Sequence, residues 1–313
     1  MRLLILGAGG IGGYLAARMS EAGLAPRLLV RPKRAKALQQ HGLHLESPLG
    51  NWSGLPDLAT DAKSLPDADF IFLSCKAYDL RSALDAVSPC VSGSTIIVPF
   101  LNGVRHIDAI HARFTDCAAW GGVAHLGVKV DPNGSICHFN DLNRFFLGPL
   151  HPGVDDERAV VLIEKMQASP IELSLSDDIQ QDMWDKLVFL GTLAGMTCLM
   201  RADIGTILAT AQGEELILQL LDECTRIAEA EGFPPTRAAL GEYRKQLTDH
   251  SSHSTASMLR DMASGTETEA DHILGDLSKR AAHNALRVPL LRTCLSHLQA
   301  YELGLRVAAV KSA

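Results

Sequence analysis

The feature that most constrains the fold is a glycine-rich turn near the start of the chain. Gly7, Gly9 and Gly12 fit the pattern G-x-G-x-x-G, directly after an apolar run and directly before a stretch with helical spacing. The first glycine allows a tight turn, the second lets the backbone approach a pyrophosphate, and the third permits close packing of helix against strand. With Gly10 and Ile11, the turn opens a helix whose amino terminus favours an anion. This arrangement predicts a dinucleotide-binding βα unit.

The first 150 residues alternate short β-rich runs with helical stretches, which is typical of a parallel sheet with crossover helices. We predict strands at 2–6, 26–30, 70–74, 95–100 and 118–124, and helices at 10–22, 33–40, 80–87 and 104–112. We further predict one or two antiparallel strands at 135–147, a helix at 155–168 and a last strand at 171–175.

After residue 176 the pattern becomes helical. Six helices are predicted, at 177–200, 214–231, 236–247, 257–264, 269–285 and 290–305. A chain of 313 residues also exceeds the usual limit for one hydrophobic core. The predicted fold class is therefore α/β. It has an N-terminal Rossmann-type parallel-sheet domain at 1–172 that binds NADP(H), and an all-helical C-terminal domain at 173–313 that holds the substrate.

The end of the second predicted strand indicates the nucleotide. An NAD site needs an acidic residue there to bind the ribose 2′-OH, but no carboxylate follows this strand until Glu46. Arg31 stands there instead, with Lys33 and Arg34 close behind. Because a guanidinium forks onto a phosphate, Arg31 is the predicted ligand of a 2′-phosphate, supported by Lys33 or Arg34. NADP(H) is the predicted cofactor, and a solvated basic turn is the alternative.

Composition excludes several classes of protein. The formal charge of −7 argues against a nucleic-acid surface, and seven scattered cysteines are typical of free thiols in a reducing compartment. His250 and His253 lack the further ligands of a metal site, so they are interpreted as part of a polar loop. With neither a signal-peptide pattern nor an apolar run of 18 residues, we expect a cytoplasmic protein without a membrane partner.

Four polar residues are candidates for the chemistry. Lys76 and Asn102 follow the third and fourth predicted strands, at the sheet edge where ligands bind in α/β proteins. Lys186 lies where a polar helix segment becomes apolar, and burial there would lower its pKa toward that of a useful proton donor. Glu269 lies at a predicted helix start. The alternatives are solvated loop residues at 76 and 102, a snorkelling Lys186, and a simple helix-terminal charge at 269.

Six motifs in order resemble the ketopantoate reductase (2-dehydropantoate 2-reductase) family over essentially the whole chain. They are the glycine turn, Cys75-Lys76-Ala77, Asn102-Gly103, Trp184-Asp185-Lys186-Leu187, Ser257-Met258-Leu259-x-Asp261 and Thr268-Glu269-x-Asp271. The resemblance implies that NADPH reduces a 2-oxo acid to a 2-hydroxy acid, with 2-dehydropantoate in pantothenate biosynthesis as the expected substrate.

The same resemblance implies a role for each matched residue. Lys186 would be the general acid that protonates the forming alkoxide, and Glu269 would hold Lys186 or the substrate hydroxyl. Ser257 and Asn102 would bind the carboxylate end of the 2-oxo acid. Lys76 would assist where cofactor and substrate meet. A positioned cation that stabilises a developing oxyanion is the step such a site must supply.

One departure from the family concerns the helix that carries Lys186. Family members have Asn four and eight residues after this lysine, whereas this chain has Leu190 and Ala194. Both share a helix face with Lys186, so an apolar wall is expected to border the substrate. A more apolar 2-oxo acid and a catalytically silent NADP(H)-binding sensor are therefore the alternative functions. The sequence leaves the oligomeric state open, with a homodimer among the alternatives.

Overall fold

The computed structural model describes residues 1–151 and 156–312, apart from the side chains of 309–312. The chain folds into two compact units. Unit 1 comprises Met1–Asn102 and His106–Gln180, and unit 2 comprises Gly103–Arg105 and Gln181–Ala313. The boundary between the units therefore lies after Gln180, whereas the sequence analysis predicted it after residue 172.

Unit 1 is built on one mixed sheet. Its strands within the described residues are β1 (Leu3–Leu6), β2 (Arg27–Leu29), β3 (Leu43–Glu46), β4 (Trp52–Gly54), β5 (Asp57–Ala59), β6 (Phe70–Leu73), β7 (Ile96–Pro99), β8 (Ala118–Val130), β9 (Ile136–Pro149) and β10 (Glu172–Leu175). Its helices are α1 (Gly10–Glu21), α2 (Pro32–His41), α3 (Leu80–Val87), α4 (His106–Arg113) and α5 (Glu157–Met166), with 3₁₀ turns at Ala77–Asp79 and Ser88–Cys90.

The sheet has the strand order β4-β3-β9-β8-β7-β6-β1-β2-β5, and β10 pairs with β9. The run from β8 to β5 is wholly parallel, as predicted for a Rossmann-type domain. Every residue of β1, β6 and β7 is buried, because helices cover both faces of a parallel sheet. These three strands consist of apolar residues throughout, without alternation of apolar and polar residues, and this makes them recognisable in the sequence.

The structure confirms the predicted elements of unit 1 and adds to them. β8 runs six residues beyond the predicted end at 124, and the segment at 135–147 is a single strand, β9, antiparallel to β8. Strands β3, β4 and β5 were not predicted; each has only three or four residues. β3 and β5 pair with the distant strands β9 and β2, and β4 pairs with its neighbour β3. Residue 155, the first of a predicted helix, lies outside the described residues, and α5 begins at Glu157.

Helices are the regular secondary structure of unit 2 within its described residues, as predicted. Its helices are α6 (Ile179–Met200), α7 (Ile204–Leu208), α8 (Gly213–Ala230), α9 (Arg237–Leu247), α10 (Ser257–Ala263), α11 (Ala270–His283) and α12 (Pro289–Ser312). The short helix α7 was not predicted. Two glycines of α6 allow close packing, since a Cβ on Gly191 would lie 2.8 Å from Leu277 Cδ1, and one on Gly195 would lie 2.6 Å from Leu220 Cδ2.

Helix α6 is long and apolar enough to cross a membrane by length and composition, but 67% of its most apolar window is buried inside the protein. A hydrophobic helix that is buried in this way is typical of the core of a globular unit.

Candidate nucleotide and catalytic sites

The glycine turn has the geometry that its sequence predicts. Gly7 has φ of +95°, a conformation that favours glycine, and its N–H donates to the Leu29 carbonyl oxygen at 3.0 Å. A Cβ on Gly12 would lie 2.2 Å from the Gly7 carbonyl oxygen and 2.3 Å from Ser74 Oγ, so no larger residue fits there without a shift. Strand β1, the turn and α1 are thus packed as closely as a dinucleotide-binding βα unit requires.

The amino terminus of α1 also fits a pyrophosphate. Gly9 is the N-cap residue, and within the described residues no side chain caps this helix and no acidic residue lies in its first turn. A Cβ on Gly9 would meet nothing within 4 Å, so there is open space above the backbone at this position. Gly10 and Ile11 form the start of the helix and are half-buried. The first N–H groups of α1 are therefore available to bind an anion.

Arg31 occupies the predicted position at the end of β2, where it is the N-cap residue of α2. Its side chain is 76% exposed, and its Nη2 donates to Asp79 Oδ1 at 2.7 Å. Of the two predicted supporting residues, Lys33 is exposed, whereas Arg34 donates to the Gly134 carbonyl oxygen at 3.1 Å. The sequence analysis did not single out Asp79. It lies 48 residues from Arg31, and only the pairing of β2, β1 and β6 brings the two together.

Lys76 and Asn102 lie at the same edge of the sheet as the glycine turn and Arg31. Lys76 follows β6 and precedes a 3₁₀ turn, Asn102 follows β7, and both residues are half-buried. Because β2, β1, β6 and β7 are parallel neighbours, their carboxyl ends share one edge. The structure therefore brings all the predicted nucleotide-binding residues of unit 1 to one edge of the sheet.

In unit 2, Lys186 is held by the packing of its own helix. Trp184, two residues earlier, stacks on Phe233 with ring centroids 5.5 Å apart, and the Arg280 guanidinium lies 5.1 Å from the centre of the Trp184 ring. Arg280 is in turn fixed by ion pairs with Asp276 and Glu231. This stack anchors the part of α6 that carries Lys186 to the rest of unit 2.

The Lys186 ammonium lies in an unusual electrostatic environment. Burial lowers the pKa of Lys186 from 10.5 to about 8, and the nearby Glu269 carboxylate limits the fall because its negative charge favours the protonated form. An amine with this pKa is largely protonated at neutral pH, yet releases its proton far more readily than an exposed lysine. It is therefore suited to act as a general acid.

Glu269 is only 5% exposed and is the N-cap residue of α11, although its side chain makes no capping hydrogen bond. The residue before it is anchored to α12: the Thr268 hydroxyl donates to Glu302 Oε1, and the Thr268 N–H donates to the same oxygen at 3.2 Å. Glu302, which the sequence analysis did not identify, is itself 7% exposed. A buried carboxylate of α12 thus fixes the turn from which Glu269 projects.

The remaining predicted residues of unit 2 have two kinds of surroundings. Ser257 is half-buried at the start of α10, which is tied to α6 because the Ala256 N–H donates to Thr197 Oγ1 at 3.4 Å. Leu190 is half-buried and packs against the helical core, whereas Ala194 is completely buried within that core. Close helix packing by itself therefore explains why residue 194 is small.

Comparison with known proteins identifies the family. The model for "Ketopantoate reductase PanE/ApbA" matches residues 3–152, and the model for its C-terminal part matches residues 178–302. A 2-dehydropantoate 2-reductase of Mesorhizobium japonicum is 30% identical over 88% of this chain and 89% of its own length. The chain belongs to the ketopantoate reductase family. It is therefore an oxidoreductase of a family that uses NAD(P) on a Rossmann-type fold.

Other similar proteins carry different names. An uncharacterised oxidoreductase of Bacillus subtilis, YkpB, is 36% identical over 96% of this chain and 99% of its own length. A D-mandelate dehydrogenase, solved in a ternary structure with NADH and anilino(oxo)acetate, has a TM-score of 0.86 at 19% identity and covers 98% of this chain and 100% of its own. The ketopantoate reductase fold is thus shared by enzymes with different names, and the family alone does not determine the substrate.

Proposed function

We propose that this member of the ketopantoate reductase family reduces a 2-oxo acid to a 2-hydroxy acid with NADPH. The observation that carries the proposal is the Lys186 amine, whose pKa burial lowers to about 8, with the buried Glu269 carboxylate near enough to favour its protonated form. Binding a nucleotide requires neither a lysine tuned by burial nor a carboxylate beside it. The pair therefore favours an enzyme over a silent NADP(H)-binding sensor.

In the proposed reaction the glycine turn and Arg31 would hold a nicotinamide nucleotide, which would supply the hydride that the 2-carbonyl carbon accepts. The carbonyl oxygen becomes an alkoxide as its π bond breaks, and Lys186 Nζ donates the proton that completes the hydroxyl. Glu269 keeps Lys186 protonated until that step. Ser257 and Asn102 bind the substrate carboxylate, Lys76 assists beside the nucleotide, and Arg31 binds the 2′-phosphate. A proton from solvent then restores Lys186.

For the substrate we propose 2-dehydropantoate first, since the 30% identical relative carries the name of that activity. Leu190 supports a second candidate, a branched 2-oxo acid without a terminal hydroxyl. A leucine side chain cannot hydrogen-bond a hydroxyl but can contact a hydrocarbon branch, and each extra methylene held in this way contributes about 1–3 kcal/mol to discrimination. The name of D-mandelate dehydrogenase, a protein of the same fold, supports this second candidate, because mandelate is a 2-hydroxy acid with an apolar side chain.

A panel of 2-oxo acids assayed by NADPH oxidation tests the proposal. We expect turnover of 2-dehydropantoate or of its deoxy analogue, and the ratio of the two kcat/KM values decides between the candidates. Lys186→Ala should lower kcat by about 10²–10⁴ while leaving the Kd for NADPH unchanged. Tight NADPH binding without turnover of any 2-oxo acid would establish the sensor instead, and near-normal turnover by Lys186→Ala would exclude Lys186 as the acid.

A further inference from the structure

The chain lacks a carboxylate at the end of β2, yet the fold places one there. Asp79 Oδ1 accepts a hydrogen bond from Arg31 Nη2 at 2.7 Å, and the carboxylate reaches that position from the segment after β6. Arg31 is the residue assigned to the 2′-phosphate of NADPH. The group that would bind this phosphate is therefore already paired with an anion of the protein.

The local backbone shows that this pairing is not a by-product of helix capping. Asp79 ends the 3₁₀ turn that runs directly into α3, and its backbone is helical rather than extended, so its side chain is not placed to cap that helix. The side chain makes no capping hydrogen bond and is directed to Arg31. The Arg31 and Asp79 side chains are 76% and 34% exposed, so the pair is open to a ligand from solvent.

The two nucleotides interact with this pair in opposite ways. The 2′-phosphate of NADPH carries a charge of about −1.5 to −2 near neutral pH, so it must displace or repel the Asp79 carboxylate in order to reach Arg31. The ribose of NADH has a 2′-hydroxyl, which can donate a hydrogen bond to a carboxylate, as in sites that select NAD. Asp79 therefore disfavours the first nucleotide and favours the second.

We propose that Asp79 is a specificity-determining residue that narrows the preference for NADPH over NADH and makes this protein usable with both. The inference rests on the proposed assignment of Arg31 to the 2′-phosphate. It adds to the predicted 2′-phosphate site a residue that opposes Arg31 rather than assisting it.

The test compares Asp79→Asn with the unchanged protein by direct titration of NADPH and of NADH, and by kcat/KM for each. Asparagine keeps the shape of the side chain and removes its charge. We expect the Kd for NADPH to fall by about three- to tenfold, because the variant lacks the exposed negative charge that repels a 2′-phosphate carrying nearly two negative charges. The Kd for NADH should rise by about two- to fivefold, because a charge-assisted hydrogen bond becomes a neutral one.

Asp57→Asn is the matched control. Asp57 pairs with Arg27 at 2.7 Å and is also exposed, but it lies at the start of β5, at the opposite edge of the parallel sheet. The Asp57→Asn variant removes the same charge from the same unit but far from Arg31, so the Kd values for NADPH and for NADH should both stay within about twofold of those of the unchanged protein. A response of this control as large as that of Asp79→Asn would attribute the effect to net charge and overturn the proposal.

Two results for Asp79→Asn overturn the inference directly. One is a change of less than threefold in the ratio of the Kd for NADPH to the Kd for NADH, and the other is weaker binding of NADPH. The second result would mean that Asp79 orients Arg31 for the phosphate. The binding assay needs no substrate, so a protein that binds both nucleotides but reduces no 2-oxo acid disproves the proposed reaction while the Asp79 comparison still stands. A protein that binds neither nucleotide disproves both.

Discussion

The interaction between Glu269 and Lys186 makes a quantitative prediction about pH. Glu269→Gln keeps the shape of the side chain and removes the charge that favours protonated Lys186. A single opposite charge at close range typically shifts a pKa by at least about one unit, so the pKa of Lys186 should fall from about 8 to about 7. Because the reduction requires protonated Lys186, kcat of the variant should begin to fall at a pH about one unit lower than kcat of the unchanged protein.

The size of the loss therefore depends on the pH of the assay. For a pKa of about 8 the protonated fraction is about 0.9 at pH 7 and about 0.09 at pH 9, and for a pKa of about 7 it is about 0.5 and about 0.01. Glu269→Gln should thus lose about twofold in kcat at pH 7 and about ninefold at pH 9 from this cause. A purely structural defect would lower kcat by the same factor at both pH values.

The assay is kcat for 2-oxo acid reduction at saturating substrate between pH 6 and 10. Glu267→Gln serves as the control, because this exposed carboxylate lies two residues away and pairs only loosely with Arg306, at 3.9 Å. Its pH profile should match that of the unchanged protein. A Glu269→Gln profile that does not move, or that moves to higher pH, would refute the assignment of Lys186 as the acid and of Glu269 as the charge that supports it.

Two further predictions concern the glycine turn and the anchored turn before α11. Gly12→Ala should lower the free energy of unfolding by about 1–3 kcal/mol, because the added Cβ would collide with the Gly7 backbone. Gly9→Ala should leave the free energy of unfolding unchanged but weaken nucleotide binding, because its Cβ would enter the open space above the turn. Calorimetric measurement of unfolding and of nucleotide binding distinguishes the two variants. Thr268→Val should lower the urea unfolding free energy by about 1–3 kcal/mol, because the buried Glu302 carboxylate loses a donor, whereas the exposed Thr293→Val should change it by less than about 0.5 kcal/mol. Equal losses of stability in Gly12→Ala and Gly9→Ala, or in Thr268→Val and Thr293→Val, would contradict the cause given for that pair of variants.

The sequence predicted the parallel sheet and the glycine turn because their signals are local. The apolar runs of β1, β6 and β7 and the spacing of Gly7, Gly9 and Gly12 are visible within a few residues. Strands β3, β4 and β5 carry no comparable signal, since each is short; β3 and β5 depend on distant partner strands, and β4 depends on β3.

The site was predictable to the same extent. Arg31, Lys186 and Glu269 follow from motifs. Asp79, which pairs with Arg31, is 48 residues away from it, and Glu302, which anchors Thr268, is 34 residues away from that threonine. No local pattern distinguishes these two carboxylates from the other acidic residues of the chain. For Lys186 the sequence left a snorkelling lysine open, and only the three-dimensional environment indicates the lowered pKa. Long-range electrostatics is thus the part of the site that motifs do not encode.

The small segment Gly103–Arg105 has a consequence for how the chain can be dissected and synthesised. These residues belong to unit 2 although they lie within the sequence of unit 1, and Val104 packs against the helical core. A fragment that begins at residue 181 would therefore lack part of its own core, so cutting the chain once does not yield two intact modules. During synthesis, this segment leaves the ribosome long before the helices it packs against, and the helical core cannot close around Val104 until the last of them has been made.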